Sequence, residues 1–528
     1  MSATTLTAVR DAAYDEAYRN RYIIAITVTF ASILEILDTS IVNVAIPHMM
    51  GTLGATLDQI AWVSTGYIVA NVIVLPITGW LSAFFGRRRY FAGSIMLFTL
   101  ASFFCGNAHT LNELIAWRIL QGLGGGALLS TSQAILYEVF PPEEYGQAMA
   151  IFGVGVMVGP TLGPTLGGYI TDTFSWPWIF YINLPFGALA LVLSLQYIGD
   201  SKWAQKLGDT DWLGLFLLAL GVGTLQLFLE RGERLDWFAS REIGFYAVTS
   251  LFSLVSFVWH ELHVEHPVVD LRILGNRQFG TGALLGAILG VCLYATVFVL
   301  PVYLQQILRF TANQTGLVIL PGALASAVTM VLMTRLLGKV DSRIIASMGA
   351  ALFAFSMWQW SHFTTQSGVD DFWWPLIVRG VALGFAFIPL NNLAMSQLSM
   401  SQIAPATGLY NLMRQLGGSV GIALSATLVQ RFMAESREGL ASHVSLYNPV
   451  VVQRLDQITR MLQGRGDTFD VARTKALASI NGAVQAQAAM LAYEKIFLVF
   501  GLVFLSAIPL IMTLKYDPKR LRGGADAH

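Results

Sequence analysis

AWRILQGLGGGALL, residues 116–129, and IVRGVALGFAFIPL, residues 377–390, decide how the rest of the chain is read. Each sets one arginine, Arg118 or Arg379, ahead of a small-residue turn inside an apolar run. The runs that follow also match in kind. GVGVMVGPTLGPTLGGY (153–169) spaces Gly155, Gly159, Gly163 and Gly167 four apart, and NLMRQLGGSVGIALSA (411–426) does the same with Gly417, Gly421 and Ser425. GRRR (86–89) has a weaker echo in GKVDSR (338–343). Two related halves facing each other across a midplane site is a transporter architecture.

The composition agrees. Of 528 residues, 55% are hydrophobic and 12% charged, with a mean hydropathy of +0.60. A soluble domain carries about 25% charged residues. Runs of about 20 apolar residues, the length that crosses a bilayer as helix, recur along the chain, and fourteen are expected. The sequence therefore predicts an all-α polytopic membrane protein: a polar N-terminal segment (1–21), a six-helix bundle (22–199), an inserted helix pair with its linkers (200–278), a second six-helix bundle (279–514) and a tail (515–528). The first apolar run is too long for a signal-peptide core and is read as a retained span. Seventeen Lys and Arg fall on the side of the N-terminus and four in the short loops opposite, so both termini are expected in the cytoplasm. The stretch 431–492, after a span expected at 405–430, is polar. It repeats Val452, Leu455, Ile458, Leu462 and then Leu477, Ile480, Val484, Leu491 at helical intervals around GRGDT. A helical hairpin on the outer side is expected there.

Several chemistries are excluded. A net charge of zero leaves no basic footprint for nucleic acid. No phosphate-binding G-x-x-x-x-G-K-[ST] occurs, so ATP is not the direct energy source. GGSVG (417–421) lies in a small-residue helix and not on a strand-to-helix elbow. His260, His263 and His266 lack the H-E-x-x-H spacing, and Cys105 and Cys292 are isolated, so no metal or other cofactor is called for.

What remains is charge inside apolar spans, which is costly and marks function. LEILDTSIVNVAIP (34–47) sets Glu35 and Asp38 three residues apart on one helical face. Further candidates are Arg118, Arg379 and Arg414. Asp38 is read either as a coupling carboxylate or as a hydrogen-bonding group near the end of its helix. Trp62, Tyr67, Asn71, Gln133, Tyr294, Tyr303, Asn391, Asn392 and Asn411, with Arg414, form a candidate pocket lining for amphiphilic compounds. Pro160 and Pro164 remove two ladder donors from the Gly155–Gly167 helix, which reads as a bendable, close-packing hinge.

LDTSIVNVAIP (37–47), GWLSAFFGRRR (79–89), RILQGLGGG (118–126), GVMVGPTLGPTLGGY (155–169), WPWIFYINLPFG (176–187) and GLYNLMRQLGGSVGIAL (408–424) resemble the major facilitator superfamily. More narrowly, they are similar to its fourteen-helix drug:proton antiporters of the EmrB/QacA type, closer to the EmrB side. The resemblance covers nearly the whole chain. It implies a major facilitator fold of two six-helix repeats plus an inserted pair, and not an enzyme. It implies a bacterial inner-membrane pump that exports hydrophobic or amphiphilic compounds in exchange for protons, working with a periplasmic adaptor and an outer-membrane channel. Asp38 and Arg118 match the family's first-span aspartate and fourth-span arginine; Glu35 is at a position the family does not fix. In the loop motif Gly79, Gly86, Arg87 and Arg88 are kept, whereas Ala83 and Phe84 replace the family's Asp and Arg. Without that Asp, the arginines are expected to keep a solvated, orienting role. Export of one metabolite, such as a fatty acid or siderophore, is the alternative within the class. A non-transporting receptor or an intramembrane enzyme is the alternative outside it.

Overall fold

The computed structural model describes residues 17–201, 210–337, 339–445 and 447–516. Most of the N-terminal segment, Lys202 and Lys206, and most of the tail lie outside them. All regular elements among the described residues are helical: α1 (Arg21–Leu53), α2 (Leu57–Val74), a 3-10 turn (Leu75–Ile77), α3 (Thr78–Phe85), α4 (Arg87–Gly106), α5 (Leu111–Val139) and α6 (Tyr145–Thr173). They continue with α7 (Trp178–Tyr181), α8 (Asn183–Tyr197), α9 (Trp212–Arg231), α10 (Arg241–His263), α11 (Arg277–Gln306), α12 (Ala312–Leu336) and α13 (Ser342–Trp360). The last are α14 (Val369–Met395), α15 (Met400–Ser442), α16 (Pro449–Gln463), α17 (Phe469–Leu505) and α18 (Ala507–Thr513). Among the described residues eleven helical segments are long and apolar enough to cross a membrane, and twelve with the bent α6. α5, with its internal charges, and α13 pack among them, which is consistent with fourteen spans.

The repeat is visible in packing. α1 lies on α6 as α11 lies on α15; α2 lies on α5 as α12 lies on α14; α4 packs on α5 and α8 as α13 packs on α14 and α17. Even the helix starts match. Thr56 and Gln59 form a reciprocal cap at the head of α2, and Thr311 and Gln314 form the same cap at the head of α12. Small residues set the closeness of these contacts. A side-chain carbon on Gly155 would meet Thr29 and Ile33, one on Gly159 Ile36, one on Gly163 Ser40, and one on Gly167 Ile41, so the whole stripe lies on α1. In the same helix, which contains Pro160 and Pro164, the segments to Met157 and from Leu162 are inclined by 40°.

The halves meet along α6 and α12 and where α15 crosses the 3-10 turn and α3. At the second crossing a carbon on Gly79 would stand 2.8 Å from the Pro405 backbone. α9 lies against α2 and α15, with α10 outside it. Phe245, Leu251, Phe252, Val255 and Trp259 of α10 are exposed, the outward apolar face expected against lipid.

Two expectations need correction. The loop arginines are not uniformly solvated: Arg87 is buried, pairs with Glu138 and donates to the Gly199 carbonyl at 3.1 and 2.9 Å. Asp200 accepts from the Arg88 backbone N–H at 3.1 Å, and Gly86 turns the chain at φ +83. A carboxylate from the end of the sixth span therefore stands where the loop has none of its own. The hairpin is present, but α15 runs unbroken to Ser442 and α17 runs from Phe469 into the last span. Leu455 is buried as expected, and Ile480, Val484 and Leu491 are half-buried, but Leu477 is exposed and Ala472 and Ala476 are packed in its place.

A side-chain carbon on Gly124 would lie 2.8 Å from Phe98 N and 2.9 Å from Ser94 O, both backbone atoms of α4, whereas one on Gly93 meets nothing within 4 Å. Gly124→Leu is predicted to destabilise the first half by about 1–3 kcal/mol or more through overpacking, seen as a lower melting temperature in detergent. Gly93→Leu should melt like the parent.

Candidate functional site

The internal charges of the first half sort into two kinds. Asp38, from the middle of α1, is fully buried and fully occupied. Its Oδ2 pairs with Arg118 Nη1 of α5 at 2.5 Å, and its Oδ1 accepts from Gln121 Nε2 at 2.9 Å and Asn183 Nδ2 at 3.0 Å. Arg118 is also answered on its other sides. It donates from Nε to the Val63 carbonyl at 3.1 Å and from Nη1 to Gln121 Oε1 at 2.7 Å, and its Cζ stands 4.1 Å over the Tyr67 ring. Two opposite charges held this way satisfy each other, and both Asp38 oxygens are taken. Gln121 and Asn183 complete the pair and were not singled out from sequence. Gln121 follows Arg118 by one helical turn, which is a signal; Asn183 comes from α8 and carries none.

Glu35 is different. One oxygen accepts from Asn71 Nδ2 at 2.9 Å; Oε2 is sealed from solvent and has no partner among the described residues. Gly125 makes room for it, since a side-chain carbon there would lie 3.4 Å from Glu35 Cγ and closer still to the Tyr67 hydroxyl. Across the interface Arg414, on α15 of the second half, is 1% exposed, and its Nη1 is likewise sealed and has no partner among the described residues. Arg414 and Asp38 are the charged groups whose fields reach Glu35. Tyr294 lies within the reach of both Arg414 and Glu35. A carboxylate in one half and a guanidinium in the other thus each keep an unused, sealed position among the described residues.

Nearer the end where α1 begins, the halves are tied by amides. Gln133 of α5 donates to Asn391 Oδ1 at 2.7 Å and accepts from Asn411 Nδ2 at 2.9 Å, while Tyr137 donates to Asn392 Oδ1 at 3.1 Å. Gln133 is eight residues beyond Gly125, roughly 12 Å of helix below Glu35. A cleft lined by Thr78, Ser82, Ser130, Glu138, Met400 and Ile403 enters from that end, and another lined by Asn43, Trp62, Thr65 and Glu230 enters from the hairpin end. Glu35 and Arg414 lie between, covered from both directions.

The structure gathers Glu35, Tyr67, Asn71, Gln133, Tyr294, Asn391, Asn392, Asn411 and Arg414 around the seam between halves. It places two other sequence candidates elsewhere. Trp62 sits at the hairpin end with its ring 5.0 Å from Arg231 Cζ. Tyr303 donates to the Thr364 carbonyl at 3.1 Å inside an aromatic cluster with Phe363, Phe372 and Tyr493. Among the described residues no group of three His, Cys, Asp or Glu is arranged to hold a metal.

A model of the Major Facilitator Superfamily matches residues 28–422. The chain is 33% identical over 494 residues to the multidrug export protein EmrB of Haemophilus influenzae, covering 93% of this chain and 95% of that one. It is 32% identical over 508 residues to the EmrB of Escherichia coli, covering 96% and 98%. It is also 32% identical over 493 residues to the fatty acid resistance protein FarB of Neisseria gonorrhoeae, covering 93% and 96%. In structure it is similar to the human organic anion transporter MFSD10, with a TM-score of 0.58 at 14% identity, over 92% of this chain and 99% of that chain. That likeness concerns the fold. The chain belongs to the Major Facilitator Superfamily, and within it to the drug:proton antiporters of the EmrB type. It is a multi-span membrane transporter of the multidrug efflux kind.

Removing the acid of a buried ion pair strands its partner, a loss of about 3–5 kcal/mol. Asp38→Asn is therefore predicted to lower the melting temperature in detergent sharply, and Glu35→Gln to leave it close to the parent value.

Proposed function

We propose that the protein exports hydrophobic or amphiphilic compounds from the cytoplasm of a bacterium in exchange for entering protons, and that Glu35 is the group that loads and releases the proton. The observation that carries this reading is the pair of sealed, unused positions on Glu35 and Arg414, on opposite halves of the molecule. An ionised Glu35 attracts Arg414 and draws the halves together at the centre. A proton on Glu35 ends that attraction and frees Arg414, so protonation acts on the contact that alternating access must make and break. Asp38 and Arg118 contribute by holding α1 and α5 in register on the hairpin side of Glu35. The Gln133–Asn391–Asn411 amides act as the closure on the side of the N-terminus, and the bent α6 as the element along which the halves rock. One charge moving down the membrane potential contributes about 2.3 kcal/mol per 100 mV, enough for one or two protons to drive accumulation.

The arginine distribution supports an orientation with both termini in the cytoplasm and the hairpin outside, in the inner membrane. The hairpin, extending α15 and α17, then offers a rigid outer surface for a periplasmic adaptor leading to an outer-membrane channel. A second reading, export of a single acidic metabolite, is favoured by the similarity to a fatty acid resistance protein and by a free Arg414, to which an acidic head group would bind.

Proteoliposomes decide between coupling and its absence. An imposed pH gradient is expected to drive uptake of amphiphilic dyes or fatty acids by the parent protein and not by Glu35→Gln, which should still equilibrate substrate down its own gradient. Gradient-driven uptake that persists in Glu35→Gln would assign the proton to another group.

A further inference from the structure

Arg379 is the second half's counterpart of Arg118, and it has lost its acid. Asp38 precedes Arg118 by 80 residues, and Thr296 precedes Arg379 by 83. In both halves the first helix of the repeat meets the arginine of the fourth, so Thr296 of α11 stands where the first half has Asp38. Arg379 donates to the Thr296 hydroxyl from Nε at 3.2 Å and from Nη2 at 2.8 Å, and that hydroxyl spends its own proton on the Cys292 carbonyl at 2.8 Å. The guanidinium is buried, 7% exposed, and no ion pair to it occurs among the described residues. None of α11, α12 and α13 contains an Asp or Glu. Asp370 and Asp371 of α14 are exposed in its first turn, and Glu494 of α17 interacts with His362.

A second unanswered donor lies beside it. Trp360 of α13 is fully buried with its ring centroid 5.7 Å from Arg379 Cζ, and its indole N–H has no acceptor among the described residues. A buried cation and a buried N–H therefore share one wall of the second half, with a single hydroxyl to receive them. The guanidinium has one neutral hydroxyl and the Trp360 ring but no counter-charge, the indole N–H has nothing, and in a buried setting both shortfalls are costly. In the first half the same cost is offset by Asp38.

We propose that a small monovalent anion, chloride in the cell, binds between Arg379 and Trp360 and supplies the counter-charge that Asp38 supplies in the first half. A halide accepts N–H bonds from guanidinium and indole without a fixed geometry and needs no open path for a larger head group. The site holds the second half together and does not depend on which residue carries the transported proton.

The test is thermal unfolding of the purified full-length protein in detergent while chloride replaces gluconate at constant ionic strength, from zero to about 0.3 M. The parent is expected to show a saturating rise in melting temperature of a few degrees, reproduced by bromide. Thr296→Asp restores a resident acid and is expected to abolish the rise; Arg379→Met removes the cation and should do the same where it folds. A parent that melts identically in chloride and gluconate overturns the proposal. So does a chloride response that survives in Thr296→Asp.

Discussion

A charge placed inside a membrane must be answered by another charge or by a full set of hydrogen bonds, because no water is at hand to answer it. The Asp38–Arg118 pair is where this chain meets that demand with a counter-charge and amide hydrogen bonds together. Four elements supply its partners: α1 the acid, α5 the arginine and Gln121, α2 the Val63 carbonyl and the Tyr67 ring, and α8 Asn183. The pair thereby fixes the rotation of all four helices about one buried point. Its cost in desolvation is high, and its return is a unique arrangement of the first half, around which the glycine stripe of α6 closes on α1.

Against that fixed half, the seam is deliberately incomplete. Glu35, one turn from Asp38, has one oxygen satisfied and one left over, and Arg414 presents the matching surplus from the other half. The contrast between neighbouring carboxylates is physical and local. Asp38 receives an arginine and two amides; Glu35 receives a single amide. A group with unused hydrogen-bonding capacity at a moving interface responds to a proton or to a substrate, and one that is fully enclosed does not. The same logic separates the two arginines of the repeat, since Arg118 has a resident acid and Arg379 only a hydroxyl.

The membrane class, the repeat and the two-half plan were legible in the sequence, because hydropathy and four-residue spacing are local properties that helices preserve. Buried charges were legible one at a time. Which of them meet was not, because Asp38 and Arg118 lie 80 residues apart and come together only through helix packing. Nothing in the sequence distinguished an enclosed Asp38 from a half-satisfied Glu35 three residues away. Aromatic residues were not separable by sequence for a related reason: depth along a helix places Trp62 in the cleft at the hairpin end, away from the seam, and Tyr303 in an aromatic cluster. In the hairpin, the apolar period found Leu455 and missed Ala472 and Ala476, small residues that a search for large apolar side chains passes over in favour of the exposed Leu477.

The central claim is that the proton resides on Glu35 and not on Asp38. Calorimetry of substrate binding in buffers of different ionisation enthalpy counts the protons exchanged at the moment of binding. The parent protein is expected to exchange protons on binding, Glu35→Gln to bind with none, and the folded fraction of Asp38→Asn to exchange as the parent does. Proton exchange that is intact in Glu35→Gln and lost in Asp38→Asn would contradict the account.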